Sequence, residues 1–136
     1  MALLDHLRIG MSAETKLVVM GEMTVGHFVL GMPRVYATPM MILHMEMAAG
    51  SAIASALPEG FVSVGMEVNV RHLAATPIGC KVRAIARVTA IEGKRVMFAV
   101  EAWNEVRKIG EGTHRRGIVN VGEFEERFAV KQDALV

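Results

Sequence analysis

The sequence predicts an α+β domain in which one antiparallel sheet wraps around a single long, apolar helix. Three observations carry this. The run from Pro39 to Leu57 (PMMILHMEMAAGSAIASAL) holds one formal charge in 19 residues. The chain beyond it changes to apolar/polar alternation, the period of strands. The 136 residues contain no repeat, linker or low-complexity segment, which fits one domain over 1–136 and not two.

Each element follows from local chemistry. Residues 14–19 (ETKLVV) read as a first strand. Residues 26–37, with two Gly and one Pro, read as a loop or short helical turns. Thr38-Pro39 opens the helix: Thr is a good N-cap, and proline's missing N–H has no partner in the first turn anyway. Pro58, Glu59 and Gly60 close it, for a helix of about 27 Å. In residues 61–72 the series Val62, Val64, Met66, Val68, Val70 and His72 is expected on one face. Residues 81–91 place Val82, Ala84, Ala86 and Val88 inward and Lys81, Arg83 and Arg87 outward. Glu92-Gly93 is a tight-turn signal before a strand over 95–103, with Val96, Phe98, Val100 and Ala102 on one face. A last strand is expected near 112–121. A sheet curled around one buried helix is the hot-dog arrangement, and its thin core leads us to expect a homodimer.

Composition bounds the partners. Hydrophobic residues make up 52% of the chain, so disorder is excluded. Fifteen Lys+Arg against fourteen Asp+Glu leave a net charge of +1, giving no global attraction for nucleic acid or an anionic membrane. The lone Cys80 makes neither an intramolecular disulfide nor a cysteine-based zinc site, and a reducing cytoplasm is its natural compartment. The start, MALLDHLRIG, is interrupted by Asp5, His6 and Arg8 and is too short and polar for a signal peptide. The apolar run at 39–57 approaches a membrane-spanning length, yet Glu46 and His44 sit near its middle. A helix buried in a soluble domain is the expectation.

Glu46 is the most informative residue. It is the only acid between Glu22 and Glu59, and only His44 and Ser51 interrupt the apolar or small residues around it. A carboxylate there is paired, protonated or facing a cavity, unless it lies on a helix edge that reaches water. His72 ends its strand where an apolar residue is due; a satisfied core histidine is the plain alternative. His44, two residues from Glu46 and about 200° around the helix, cannot share a metal face with it, and no HxH or HExxH spacing exists. No metal site is expected. Arg115 and Arg116 point to opposite faces of a strand, so one faces inward or toward a partner. His6, His27 and His114 carry no distinguishing neighbourhood in sequence.

The stretches VYATPMMILHMEMA (35–48), RHLAATPIG (71–79), VTAIEGKRVMF (88–98) and IGEGTHRRGIV (109–119), in this order, resemble the fluoroacetyl-CoA thioesterase family, small hot-dog hydrolases of acyl-CoA thioesters. The resemblance runs from about Arg8 to Phe128. It implies a catalytic set of Thr38, Glu46 and His72, with Gly65 and Arg116 binding substrate. It implies no cofactor, since coenzyme A belongs to the substrate. In the fluoroacetyl-specific pattern a longer segment with aromatic lid residues precedes the P-x-V-[FY]-A-T string. Here GHFVLGM (26–32) is shorter, with Phe28 its sole aromatic, which implies a short or medium acyl-CoA. Two rival readings are an acyl-CoA hydratase, which would carry an aspartate on this helix, and a non-catalytic acyl-CoA-binding dimer. Release of free thiol separates the hydrolase from the binder.

Overall fold

The computed structural model describes residues 4–135, with side chains described to residue 129; the first three residues of the N-terminal stretch lie outside it. In chain order the elements are β1 (Ser12–Val18), a 3-10 turn (Gly21–Met23), the short α1 (Val25–Phe28), the central α2 (Thr38–Ala54), β2 (Phe61–His72), β3 (Lys81–Glu92), β4 (Arg95–Trp103), β5 (Lys108–Asn120) and α3 (Val121–Leu135). The strands form one five-stranded sheet in the order β1-β3-β4-β5-β2, antiparallel throughout. The sheet curls around α2, which packs chiefly on β3 and β1. This is the hot-dog arrangement. No helix among the described residues is long and apolar enough to cross a membrane.

The core follows the two periodicities. One stripe of α2 buries Met41, Met45, Ala48, Ala49, Ala52 and Ile53. Against it β3 presents Val82, Ala84, Ala86 and Val88, and β4 presents Val96, Phe98, Val100 and Ala102, all buried as alternation predicts. Each large side chain enclosed this way contributes about 1.5–3 kcal/mol of transfer free energy. The alanines of β3 let the helix come close to the sheet. Gly110 does the same on β5, where a Cβ would lie 2.5 Å from the Met41 sulfur. At the β3–β4 hairpin, Gly93 takes φ +61° at the first loop position, a conformation glycine adopts without steric cost.

Three expectations change. Thr38 is not the N-cap: Ala37 holds that position with extended backbone, and Thr38 and Pro39 occupy the first helical turn. Proline is equally tolerated there, and the threonine hydroxyl is released from capping. The last strand begins at Lys108, four residues earlier than its alternation suggests, because ladders to both β4 and β2 hold the glycine-rich start in place. The single-faced series in β2 is broken by a bulge between Gly65 and Glu67. The extra residue exchanges the faces, leaving Val62 and Met66 43% and 50% exposed. Ser63 and Gly65 before the bulge, and Val68, Val70 and His72 after it, face the helix. The terminal helix α3 escapes notice in sequence because VGEFEERFAVKQDAL lacks a strong apolar stripe.

Candidate active site

The five candidate residues fall into two groups. At the N-terminal end of α2, the Thr38 hydroxyl lies 2.7 Å from Nδ1 of His72, the last residue of β2. Burial pushes the His72 imidazole below its ordinary range, against a weaker raising contact with the Ala74 backbone. Its other nitrogen, Nε2, is buried and has no hydrogen-bond partner among the described residues. A concavity of about 360 Å³ adjoins the pair, lined by Val25, Val35, Tyr36 and Leu73 among others. Tyr36 is fully buried, sets its ring at 85° to His72 with centroids 6.4 Å apart, and shares a hydrogen bond with Nδ1 of His44. Desolvation raises the tyrosine pKa and lowers that of His44, so the pair is neutral near pH 7.

Halfway along α2 stands the second group. The Glu46 side chain is 35% exposed, and its Oε2 lies 3.8 Å from Nη1 of Arg116. Gly65 faces it directly: a Cβ there would lie 2.5 Å from the same Oε2, so only glycine leaves the carboxylate its present place. Arg116 is the inward arginine of β5, its side chain 11% exposed, whereas Arg115 reaches Glu67 outside at 3.6 Å. Desolvation lowers the Arg116 pKa and Glu46 opposes that shift. The guanidinium is anchored by Ser63, whose Oγ and carbonyl each accept at 2.8 Å, and it donates to the Glu46 carbonyl at 3.4 Å. His114 adjoins it, with Nε2 3.2 Å from Nη1.

Within one chain the groups do not meet. Thr38 and Glu46 are eight residues apart, about 12 Å along the helix axis. Gly65 and His72 are seven apart on β2, roughly 20 Å of strand. Three larger concavities, about 610, 550 and 400 Å³, lie around Asn69–Arg71, around Lys16 and Trp103, and around Gly21 and Arg34, and none is lined by a residue of either group. No cluster of three or more His, Cys, Asp or Glu that could hold a metal occurs among the described residues.

Sequence reasoning overlooked Ser63, Tyr36 and His114. Ser63 was hidden by the bulge, which reverses the face read from alternation. His114 had a usable signal: two residues before Arg116 on one strand, it shares that arginine's inward face.

Comparison with known proteins agrees with this fold. Residues 19–122 match the model of the family described as FlK, fluoroacetyl-CoA-specific thioesterase. The fluoroacetyl-CoA thioesterase of Streptantibioticus cattleyicolor is 34% identical, the match covering 96% of this chain and 98% of that protein. A crystal structure of the fluoroacetyl-CoA thioesterase FlK superposes with a TM-score of 0.88 at 34% identity, covering 93% of this chain and 98% of that one. A Thermus thermophilus hypothetical protein, described as a thioesterase superfamily member, gives 0.87 at 37% identity over 94% and 95% of the two chains. A variant of FlK has been solved in complex with fluoroacetate and CoA (TM-score 0.81, 35% identity, 87% and 99% coverage). Matched by the family model over residues 19–122 and 34% identical over 96% of its length to a fluoroacetyl-CoA thioesterase, the chain belongs to the fluoroacetyl-CoA-specific thioesterase family, whose members hydrolyse acyl-CoA thioesters.

Proposed function

We infer that this protein hydrolyses a short- or medium-chain acyl-CoA thioester to the free acid and CoA. Its site is assembled from Thr38 and His72 of one protomer with Glu46, Gly65 and Arg116 of the other in a homodimer. The observation that carries the reading is the separation of two complementary half-sites on one helix and one strand. The β2 edge is free in the sheet order. Pairing β2 antiparallel with its own copy, with the twofold near Val68–Asn69, sets His72 across from the partner's Gly65 and hence near its carboxylate. Leu43, Met47, Val62 and Met66, each 43–51% exposed, supply apolar surface for such a contact.

In the assembled site Glu46 attacks the thioester carbonyl, giving a mixed anhydride that water then cleaves to the free acid, or activates a water that attacks the carbonyl directly. Thr38 holds the nucleophile, and neutral His72 carries the proton toward the departing thiolate. Backbone N–H groups of the first turn of α2 receive the developing oxyanion. Arg116 positions the acyl group and balances the charge of Glu46. The reaction requires no cofactor beyond the CoA that the substrate brings. The short segment at 26–32 and the modest concavity beside Thr38 support a small acyl group. The unpaired Cys80 supports a cytoplasmic setting.

Thiol release from a panel of acyl-CoAs tests the activity; tight binding without release would leave only a CoA-ester binder. Subunit mixing tests the assembly. Thr38→Ala and Glu46→Gln chains, each strongly impaired alone, are expected to recover about a quarter of wild-type activity when co-expressed equally, because half the dimers then hold one intact site. No recovery would place the whole site within one chain.

A further inference from the structure

We propose that His114 is a positioning residue: its neutral imidazole, locked in the Nδ1–H tautomer, helps Ser63 hold Arg116 so that the guanidinium balances Glu46 without capturing its carboxylate. This rests on the reading of Glu46 and Arg116 as parts of a thioesterase site.

The tautomer follows from the two partners. His114 is 2% exposed, in the middle of β5. Nδ1 lies 2.8 Å from the backbone carbonyl of Glu67, which only accepts, so Nδ1 carries the proton. Nε2 lies 3.2 Å from Nη1 of Arg116, which only donates, so Nε2 offers its lone pair. Both requirements hold together only in the neutral ring. Burial and the neighbouring guanidinium push the imidazole pKa down, opposed by the Glu67 carbonyl and by Glu46. The groups facing this ring are thus Arg116 and Glu46, with Phe98 of β4 tilted against it at 6.0 Å between centroids.

The consequence lies in how Arg116 spends its donors. Nε and Nη2 go to Ser63, and Nη1 goes to His114 and the Glu46 backbone carbonyl. At 3.8 Å the Glu46 carboxylate receives charge compensation but no hydrogen bond from Nη1. An arginine freed from these anchors can close on the carboxylate in the two-point geometry that guanidinium and carboxylate favour, which would tie up the oxygens needed for chemistry. Protonating His114 has the same effect by a different route, since an imidazolium cannot accept from Arg116 and repels it. His114 also floors the space at Gly65, where its Cε1 would lie 3.3 Å from an added Cβ.

The tests separate this inference from the reading beneath it. In the 15N-labelled protein, His114 is expected to show a protonated Nδ1 and an unprotonated Nε2 at pH 7; an imidazolium or an Nε2–H tautomer at pH 7 overturns the proposal. This measurement needs neither substrate nor a variant. In turnover assays, His114→Phe keeps the ring volume but removes the acceptor, and kcat is expected to fall about a hundredfold with KM changed less than about threefold. His114→Gln returns an acceptor and is expected to recover most of that loss, with the acid limb of its kcat profile flatter than in wild type. Equal losses in the two variants, or neither loss, overturn the role of the acceptor. Full activity in Glu46→Gln would instead remove the thioesterase reading while leaving the tautomer measurement intact.

Discussion

Thr38 and His72 hold each other through one hydrogen bond, and nothing else in the described chain engages the second imidazole nitrogen. Halfway along the same helix the balance is reversed. Arg116 is held by hydrogen bonds to Ser63, His114 and the Glu46 backbone, while the Glu46 carboxylate beside it accepts none among the described residues. In the first region two neutral groups orient one another and face an open concavity. In the second the cation is fixed by its neighbours so that the anion can remain free. A charge that must act is better placed opposite a restrained partner than inside a closed ion pair, where charge-assisted hydrogen bonds would compete with substrate.

The largest effect expected from breaking this contrast comes from Glu46→Gln. Thiol release should fall at least about a thousandfold, because the amide is neither nucleophile nor base. Its thermal unfolding should barely move, since the carboxylate is 35% exposed and makes no hydrogen bond. Retained turnover would show that the charged region is merely structural. Thr38→Ala comes next, with a loss of about ten- to a hundredfold, whereas Thr38→Ser should stay within a few-fold because it keeps the hydroxyl beside His72. Equal rates in the two variants would mean that the hydroxyl does not orient the ring.

The smallest effect concerns stability. His44, His72 and His114 all have pKa values lowered from 6.5 by burial. Between those lowered values and 6.5 the unfolded chain binds more protons than the folded one, so stability rises with pH across this window and is lost as pH falls through it. A fall of a few degrees in Tm between pH 7 and pH 5 is expected. A flat or rising Tm over that interval would contradict the burial of all three rings.

Much of this was legible in the chain because burial and period agree. Val82 to Val88 and Val96 to Ala102 alternate without interruption, and each buried position follows from that pattern. Glu46 stood out because a carboxylate amid methionines and alanines must be satisfied by something distant in sequence. Thr38, Gly65, His72 and Arg116 drew attention chiefly through resemblance; their grouping had to wait for the structure. An eight-residue helical spacing already forbids Thr38 and Glu46 from meeting in one chain, but only the free β2 edge indicates how they could meet across two. Ser63 stayed hidden for a sharper reason: alternation carries no marker for the residue at which it slips. His114 looked like any strand histidine until both of its nitrogens were seen to be engaged.

The slip in β2 bears on how relatives of this chain can differ in length. Losing Met66 would straighten the strand while keeping Ser63, Gly65 and His72 pointed at the helix, because the residue removed is the one that exchanges the faces. Such a chain would nonetheless forfeit the local geometry that offers the Glu67 carbonyl to His114. The extra residue and the histidine are therefore expected to be inherited together. A homologue one residue shorter at this place should have replaced His114, and it must restrain its arginine by some other side chain.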